Sequence, residues 1–440
     1  MPVSSQDLLS HFRFARGKTI DLTLRPSYTK LLVELGSPHT KLPAPILVAG
    51  TNGKGSTIAF LRAIIEACGK TAHIYTSPHL IQFHERIRVA GRLIDEESLV
   101  SLLEEITAKA EPGQISIFEA GTAAALTAFA RTPADCTLLE VGLGGRLDAT
   151  NIVPNLVACA ISRLSFDHRE YLGETMHEIA GEKAGIMRAQ TPCFISHQPS
   201  SEAQEALHEQ AAAKGAKLYG EGETWSIERH DDGSFDFLSA TRTLRNLPRP
   251  ALLGEHQYHN AGLAIACATA LPFPVPDEAF AQAMRRVQWP GRLQQLTSGK
   301  LHQHLEASQE LWLDGGHNDS AGEMLGRQFQ RWHESDGKPL HLIFGMINSK
   351  KPQEFTAPLL RWAESIETIY VDGEIPGFPA EELAATVARM GGKNVAPSKS
   401  LHDALEKIVR ANGNQSCRIV ICGSLYLVGE ALRQNGSTLS

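Results

Sequence analysis

A glycine-rich turn between an apolar run and an amphipathic segment constrains the fold of this chain more than any other feature. Residues 46–49 read Ile-Leu-Val-Ala, which is typical of a buried strand, and residues 50–56 read Gly-Thr-Asn-Gly-Lys-Gly-Ser. After the turn, apolar side chains recur at helical spacing and share one face: Ile58, Leu61, Ile64, Ile65 and Cys68. A strand, a tight turn and a helix in this order predict a β-α unit of a mostly parallel sheet.

The same turn predicts an anion-binding site. Glycine lets backbone N–H groups approach a phosphate closely, the helix N-terminus adds partial positive charge, and Lys54 supplies a full charge. Ser56 or Thr57 could then ligate magnesium. The match to the generic pattern G-x-x-x-x-G-K-[ST] is imperfect, because Val48 replaces the first glycine and Gly55 separates the lysine from the hydroxyl. An ordinary glycine-rich turn is the alternative, but the order of all these parts favours a phosphate loop.

The rest of the chain alternates short apolar runs with amphipathic segments, which predicts an α/β fold. At 440 residues the chain exceeds what one core usually organises. We expect a P-loop ATPase-like N-terminal domain with a mostly parallel sheet at residues 1–294, and a smaller Rossmann-like α/β domain at 295–440. Residues 220–246 instead predict an antiparallel hairpin. The strand candidates are residues 46–49, 137–141, 157–162, 193–196, 311–313, 341–344, 368–371 and 419–422.

Composition excludes several classes of protein. The 42 basic and 49 acidic residues give a formal charge of −7, which offers no general attraction to nucleic acid or an acidic membrane surface. The seven cysteines form no C-x-x-C pair and lie mostly in apolar runs, as expected of reduced core thiols in a cytoplasmic protein. The sequence has no leader-like N-terminus and no apolar stretch long enough to cross a bilayer, so we expect neither secretion nor membrane insertion.

Three polar clusters at predicted strand ends could meet the phosphate loop. They are residues 76–79 (Thr-Ser-Pro-His), residues 140–146 (Glu-Val-Gly-Leu-Gly-Gly-Arg) and the pair Asp167-His168. A hydroxyl, a carboxylate and an imidazole form a plausible mixed set for magnesium, which otherwise keeps water and phosphate oxygens. Taken alone, an Asp-His pair after a strand is more often a helix cap or a structural hydrogen bond than a metal site.

Lys183 is expected to project from an apolar helical face, because its neighbours at helical spacing are Ile179, Ala180, Ile186 and Met187. Burial lowers the pKa of a lysine and leaves a neutral amine that can react with carbon dioxide to form a carbamate. In the alternative interpretation, the stem of the lysine packs on the core while its head group reaches water.

Two predicted strands in the second half of the chain end in polar residues. We call these strand ends binding edges, because their polar groups could contact a ligand. Residues 311–318 read Leu-Trp-Leu-Asp-Gly-Gly-His-Asn, and residues 419–426 read Ile-Val-Ile-Cys-Gly-Ser-Leu-Tyr. Both could be ordinary strand-to-helix turns. A second domain with such edges could also hold an acceptor substrate.

Together these motifs resemble the folylpolyglutamate synthase and dihydrofolate synthase family of the Mur ligase superfamily, over almost the whole length. The joint order of the motifs is specific to that family. They are residues 18–22, 50–56, 76–80, 140–151, 167–168, 182–186, 290–292, 314–318 and 423–426. Two segments depart from the family pattern: Gly315-Gly316 replaces a glycine-alanine or valine-alanine pair, and residues 346–351 carry Asn-Ser where aspartate and lysine are common.

The resemblance implies a role for each matching residue. It implies that Lys54, Lys183 and His317 are catalytic, with Lys183 carbamylated, and that Ser77, Glu140 and His168 bind Mg²⁺, of which two ions are expected. The implied ATP contacts are Thr51, Asn52, Gly53, Lys54, Gly55, Ser56, Asn260, Arg292 and Asp314. The implied pterin contacts are Asp21, Leu22, Phe118, Glu119, Leu147 and Asp148, and the implied glutamate contacts are His317 and Ser424.

The implied activity is ATP-dependent ligation of L-glutamate to 7,8-dihydropteroate, and γ-glutamyl extension of reduced folates, through an acyl phosphate. Residues 144–151 and 77–80 resemble the bifunctional pattern; polyglutamylation alone is the alternative. The resemblance leaves a monovalent-cation requirement open, and we expect a monomer. A Mur ligase acting on a cell-wall precursor would share the phosphate loop and the lysine, whereas a nucleotide-dependent switch would explain the loop but not residues 314–317.

Overall fold

The computed structural model describes residues 4–12, 26–373 and 375–437, and the chain separates into two compact units. The first unit contains the chain up to Ala251 together with Gln257–Gln288; the second contains Leu252–His256 and the chain from Trp289 onward. Within the described residues, an eight-stranded sheet and a three-stranded sheet lie in the first unit and a six-stranded sheet lies in the second. This arrangement confirms the predicted α/β class. No helix in the described part of the chain combines the length and apolar character needed to cross a membrane.

The large sheet of the first unit is mostly parallel. Its strand order is β4-β3-β2-β5-β1-β6-β7-β8, and only the β4-β3-β2 edge pairs antiparallel among the described strands. The central strands β1 and β5 are buried along their whole length. The strands are β1 (Pro45–Ala49), β2 (Ala72–Tyr75), β3 (Ile87–Val89), β4 (Arg92–Leu93), β5 (Cys136–Glu140), β6 (Ala158–Ile161), β7 (Pro192–Ile195) and β8 (Lys217–Gly220).

Helices flank this sheet. The predicted apolar face of α3 is buried, apart from Cys68, which follows the last residue of the helix. The helices are α1 (Ser5–Ser10), α2 (Pro26–Glu34), α3 (Lys54–Ala67), α4 (Glu96–Lys109), α5 (Ile117–Arg131), α6 (Arg169–Leu172), α7 (Met176–Ala184), α8 (Ser201–Lys214), α9 (His256–Ala268) and α10 (Asp277–Arg286). Several begin with a side-chain cap, as α5 and α7 do through Ser116 and Thr175.

The predicted hairpin is confirmed and is part of a three-stranded antiparallel sheet. Its strands are β9 (Trp225–Arg229), β10 (Phe235–Ser239) and β11 (Thr243–Leu247). Gly233 supplies the positive φ, 86°, of the turn between β9 and β10. The sequence does not predict the third strand, because most of its residues are polar and its only buried residues are Leu244 and Leu247.

The second unit is a Rossmann-like α/β layer with strand order β12-β13-β17-β14-β15-β16. β12 runs antiparallel to β13, and the other neighbours pair in parallel. The strands are β12 (Gln294–Leu296), β13 (Gln309–Asp314), β14 (Leu340–Phe344), β15 (Ala363–Thr368), β16 (Val395–Pro397) and β17 (Cys417–Cys422). The helices are α11 (Asp319–Asp336), α12 (Pro352–Thr356), α13 (Ala380–Arg389), α14 (Leu401–Asn412) and α15 (Leu425–Asn435).

The predicted strand at residues 368–371 is wrong, because β15 covers Ala363–Thr368 and ends where the predicted strand begins. The strand that forms instead contains a buried carboxylate, Glu367, which accepts a hydrogen bond from Ser398 Oγ at 2.6 Å and lies 3.7 Å from Lys407 Nζ. Polar residues of this kind interrupt the apolar pattern from which buried strands are identified.

Candidate active site

The glycine-rich turn between β1 and α3 has the geometry of a phosphate loop. Gly50 and Gly53 have positive φ angles of 144° and 95°. A Cβ atom would lie 1.9 Å from Ser162 Oγ at the first position and 2.3 Å from Asn260 Oδ1 at the second. Backbone conformation and space therefore both require glycine at these two positions.

The loop that follows β6 supports the phosphate loop. The backbone N–H groups of Thr51 and Asn52 both donate to the carbonyl oxygen of Arg163 at 3.1 Å. The Thr51 hydroxyl donates to the Ser165 carbonyl at 3.0 Å and accepts from the Ser165 N–H at 3.2 Å. These contacts fix the conformation of the turn ahead of the helix N-terminus.

Two lysines converge on one carbonyl of this loop. Lys54 Nζ donates to the carbonyl oxygens of Gly50 and Thr51 at 3.1 and 3.2 Å, and Lys183 Nζ donates to that of Gly50 at 3.1 Å. Lys183 is buried, so its head group does not reach water. Burial, and then the neighbouring Lys54 ammonium, lower the pKa of Lys183 to about 7. A large fraction of this amine is therefore neutral near pH 7.

Ser77 and Glu140 lie beside the phosphate loop. Glu140 is the last residue of β5 and pairs with Val48 on β1, and its side chain is buried. The backbone N–H of Ser77, which follows β2, donates to Glu140 Oε2 at 3.3 Å. The structure thus brings these two predicted metal-binding residues together, with a direct contact between them.

His168 lies after the loop that joins β6 to α6, on the same edge of the sheet. It directly precedes α6 with a φ of 51°, and its backbone N–H donates to Asp167 Oδ1 at 2.9 Å. The same loop reaches the phosphate loop through Ser165.

The side chains at this edge fit a magnesium ion. The parts of the chain that the structure describes hold no group of three or more His, Cys, Asp and Glu side chains suited to a metal. The predicted set holds two such side chains, Glu140 and His168, together with the Ser77 hydroxyl. The buried Thr57 hydroxyl also has no hydrogen-bond partner among the described residues. Few protein oxygens, completed by water and phosphate, are typical of magnesium rather than of a protein-only metal cage.

Phe118 and Glu119, predicted to contact a pterin, lie in the first turn of helix α5. The Phe118 ring lies against Gly142, where a Cβ atom would meet the ring at 2.4 Å. Glu119 is buried and caps the first turn of α5. Two further predicted pterin contacts, Asp21 and Leu22, lie outside the described residues.

Asp148 organises the loop after β5. Its Oδ2 accepts from the N–H groups of Gly142 and Leu143 at 3.0 and 2.9 Å, and its Oδ1 accepts from the N–H and hydroxyl of Thr150 at 3.0 and 2.5 Å. Burial raises the pKa of this carboxyl, and the hydrogen bonds oppose that change. Both oxygens thus hold the loop that carries Leu147, which is only partly buried.

The two predicted binding edges of the second unit adjoin each other. Asp314 at the end of β13 pairs with Cys422 at the end of β17, so the loops after these strands are neighbours. Ser424 is buried and caps α15. His317 Nδ1 lies 3.0 Å from the carbonyl oxygen of Gly315. Because a carbonyl oxygen only accepts hydrogen bonds, Nδ1 carries the proton of this contact.

Asp314 lies at the end of β13 and is hydrogen-bonded to the segment that contains Arg292. Its two carboxylate oxygens accept from the N–H groups of Gly316 at 2.7 Å and Leu293 at 2.9 Å. Leu293 has a φ of 43°, which is unusual for a branched residue. Burial raises the pKa of Asp314, and the nearby Arg292 lowers it.

Sequence reasoning missed several residues that shape this edge of the first unit. Ser165 holds the phosphate loop, and Gln198 joins the loops after β6 and β7 by accepting from Leu164 N–H at 2.8 Å. Arg86 donates from Nε to His79 Nδ1 at 2.9 Å. Only their position in the sequence could have indicated a role, since Ser165 and Gln198 are polar residues just after predicted buried strands.

A mostly parallel sheet with a phosphate loop, followed along the chain by a second α/β unit, matches the fold of Mur-type ligases. The family model of the Mur ligase middle domain matches residues 48–268, and that of the dihydrofolate synthetase C-terminal domain matches residues 297–434. The chain belongs to the dihydrofolate synthase/folylpolyglutamate synthase family.

Curated relatives match along almost the whole chain. The dihydrofolate synthase/folylpolyglutamate synthase of Escherichia coli is 31% identical over 429 residues, covering 96% of this chain and 94% of that protein. The probable bifunctional folylpolyglutamate synthase/dihydropteroate synthase of Halobacterium salinarum is 31% identical over 417 residues and covers 92% of this chain. The chain spans about half the length, 48%, of that second relative.

Solved structures of the family superpose closely. E. coli FolC in complex with DHPP and ADP has a TM-score of 0.86 at 29% identity, covering 98% of this chain and 97% of that chain. A bifunctional folylpolyglutamate synthase/dihydrofolate synthase with Mn, AMPPNP and L-glutamate bound has a TM-score of 0.82 at 28% identity, covering 97% and 95%.

Proposed function

We propose that this protein ligates L-glutamate to 7,8-dihydropteroate at the expense of ATP, giving dihydrofolate, and that it extends reduced folates by γ-glutamyl residues. The observation that carries the proposal is the match to E. coli FolC, solved with DHPP and ADP, across 98% of this chain. The convergence of Lys54 and Lys183 on the Gly50 carbonyl, with Glu140 on the adjacent strand, supports it.

The reaction begins when the substrate carboxylate attacks the γ-phosphorus of ATP and ADP leaves. Lys54 and the N–H groups at the start of α3 stabilise the charge that spreads over the transferring oxygens. The amine of L-glutamate then attacks the carbonyl of the acyl phosphate, an amide C–N bond forms, and phosphate leaves while the amine loses its proton. No side-chain nucleophile is needed.

Mg²⁺ is the metal that the donor set favours, and we propose two ions at Ser77, Glu140 and His168. When bound, Mg²⁺ neutralises phosphate charge. A carbamate on Lys183 would add a negative group beside the phosphate loop, which the lowered pKa of that amine favours. The manganese and AMPPNP of a solved relative support the use of a divalent cation with the nucleotide. A monovalent cation is a further candidate cofactor.

We assign the two substrate sites to different parts of the chain. Residues 1–294 would bind ATP and the pterin substrate, and residues 295–440 would bind glutamate through His317 and Ser424. Asn260, Arg292 and Asp314 are the proposed further nucleotide contacts. We also propose that the protein is a monomer and that it is cytoplasmic. Its seven free thiols support the second of these proposals.

Polyglutamylation alone is the second candidate. A folylpolyglutamate synthase of Arabidopsis thaliana is 33% identical over 327 residues, covering 69% of this chain. Glutamate-dependent ADP release with 7,8-dihydropteroate and with a reduced folate separates the two: release with the folate alone would favour this candidate.

The decisive variant is Lys54→Ala. We expect it to keep its circular dichroism spectrum and to lose roughly 10²-fold or more in turnover, because a charge that faces the transferring phosphoryl group is removed. The matched control is Lys30→Ala, which removes an exposed lysine of the same unit and should leave turnover unchanged. Near-normal ligation by Lys54→Ala would remove the phosphate-loop assignment.

A further inference from the structure

A buried arginine holds the ring of a histidine beside the proposed metal site. Arg86 lies just before β3, and its carbonyl oxygen accepts from the Thr76 N–H at 2.9 Å, at the end of β2. Its side-chain Nε donates to His79 Nδ1 at 2.9 Å. His79 lies two residues after Ser77, whose N–H donates to Glu140 at 3.3 Å. The proposed reaction gives neither Arg86 nor His79 a role.

Arg86 carries a buried positive charge. The residue is 8% exposed, and its guanidinium lies 4.6 Å from the centre of the Phe83 ring. Within the described parts of the chain, no carboxylate forms an ion pair with it. The adjacent Glu85 instead accepts from the N–H groups of residues 80–82. A buried cation without a carboxylate partner destabilises its surroundings, so an anionic ligand nearby would be favoured.

The hydrogen bond from Arg86 fixes the tautomer of His79. Because a guanidinium only donates hydrogen bonds, Nδ1 accepts, and the neutral ring carries its proton on Nε2. His79 is partly exposed whereas Arg86 is buried, so the ring meets solvent on the side away from Arg86, where Nε2 lies. No described residue pairs with this Nε2–H. An imidazole that accepts from a cation is also a stronger donor, and it favours an anion at Nε2.

The same pair is linked to helix α5, which carries proposed pterin contacts. The Phe83 ring packs against both members, with its centre 5.8 Å from that of the His79 ring. Phe83 also reaches α5, because a Cβ atom at Gly121 would lie 2.6 Å from Phe83 Cζ. Gly121 is one helical turn after Phe118. The pair therefore adjoins both the proposed pterin contacts and the proposed metal site, and the carboxylate of the substrate must lie there to attack ATP.

We propose that His79 donates its Nε2–H to the carboxylate of the pterin substrate, and that Arg86 is the positioning residue that orients and polarises the imidazole. This inference rests on the proposed function. In 7,8-dihydropteroate the only carboxylate is the one that reacts, so one oxygen attacks the γ-phosphorus while the other accepts from His79. When the amine of glutamate adds to the acyl phosphate, that second oxygen takes up the negative charge, and the same N–H stabilises it.

The test compares 7,8-dihydropteroate with the analogue in which hydrogen replaces its carboxylate. Both affinities are measured by titration calorimetry on the full chain with ADP and Mg²⁺, and the parent should bind dihydropteroate more tightly. His79→Phe keeps an aromatic ring against Phe83 but removes the donor. It should lose roughly 10-fold or more in affinity for dihydropteroate, the effect of a hydrogen bond to a charged group, and little affinity for the analogue.

Further variants separate a ligand contact from a structural role. His79→Gln retains an acceptor for Arg86 and an N–H donor, so it should recover part of the preference that His79→Phe loses. Arg86→Gln removes the cation and should narrow the preference less than His79→Phe does. The matched control is His84→Phe, in the same short helical turn, whose Nδ1 lies 4.0 Å from Glu96. It should keep the parental preference for dihydropteroate.

The inference is overturned if the parent binds both ligands equally or if folded His79→Phe keeps the parental preference. It is also overturned if His79→Phe loses affinity for both ligands to the same extent, because that result indicates a purely structural role. A parent that shows the preference but ligates no glutamate would contradict the proposed function alone, whereas a parent that binds neither ligand would overturn both.

Discussion

Lys183 is an ionisable side chain buried beside a second ammonium group. Burial and Lys54 lower its pKa to about 7, whereas an unfolded lysine titrates near 10.4. The folded state therefore disfavours the protonated form. The resulting decrease in the free energy of unfolding is largest below about pH 7. It shrinks as pH rises between the two pKa values and vanishes above about pH 10.4. A residue whose burial destabilises the folded state is a candidate for a chemical role.

We predict that Lys183→Met abolishes ligation yet raises the thermal midpoint in buffers free of carbon dioxide. The gain should be largest near pH 6 and small near pH 10, because only the protonated amine is penalised by burial. Melting curves followed by circular dichroism at both pH values measure it. The exposed Lys393→Met should show no such pH dependence. A gain for Lys183→Met that grows with pH would contradict the burial argument.

At the scale of elements, the loop after β5 is bonded to the last turn of α7, the helix that carries Lys183. Arg146 N–H donates to the Glu182 carbonyl at 2.8 Å, and the Arg146 guanidinium lies 2.8 Å from the Glu182 carboxylate. Gly145 makes this approach possible, since a Cβ atom there would lie 2.9 Å from the carbonyl oxygens of both Glu182 and Lys183. The loop therefore sets the position of the lysine.

Gly145→Ala should consequently lower the free energy of unfolding by about 1–3 kcal/mol and reduce ligation, because loop and helix must separate. Gly181 is the matched control: it lies within α7, and a Cβ atom there would meet nothing within 4 Å. Gly181→Ala should stabilise the protein by roughly 0.5–1 kcal/mol through helix propensity. Urea unfolding and turnover measure both variants. Equal stability changes in the two would show that the close contact at Gly145 carries no weight.

The sequence predicts those elements whose signal is local. β1 and α3 follow from one apolar run and one helical face, and the phosphate loop from the residues between them. The supports of that loop could not be found in this way, because Thr51 and Ser165 are 114 positions apart. The position of β15 could not be predicted for a related reason. Its buried Glu367 accepts a hydrogen bond from Ser398, a partner that lies far away in the sequence.

At the scale of the whole molecule, each unit has its own hydrophobic core, one around β1 and β6 and another around β14 and β17. In the second unit, Arg418 links three elements. Its side chain is 8% exposed, and its guanidinium lies 2.9 Å from Glu310 on β13, 2.6 Å from Asp336 at the end of α11 and 4.9 Å from the centre of the Trp332 ring. The hydrogen bond from Arg418 is the main cause that lowers the pKa of Asp336 to about 2.

Because the two units have separate cores, we expect a destabilising substitution in one unit to leave the stability of the other unchanged. Arg418→Met removes the buried cation beside Glu310 and Asp336 and leaves them with Lys338 alone, and we expect it to cost about 1–3 kcal/mol in the second unit. In mild urea, hydrogen exchange measured by mass spectrometry should then accelerate in peptides from β13, β14 and β17 but not in those from β1, β5 and β6. Arg433→Met, at an exposed arginine of the same unit, should change neither set. Equal acceleration in both sets would mean that the two cores unfold as one cooperative unit, despite their separate packing.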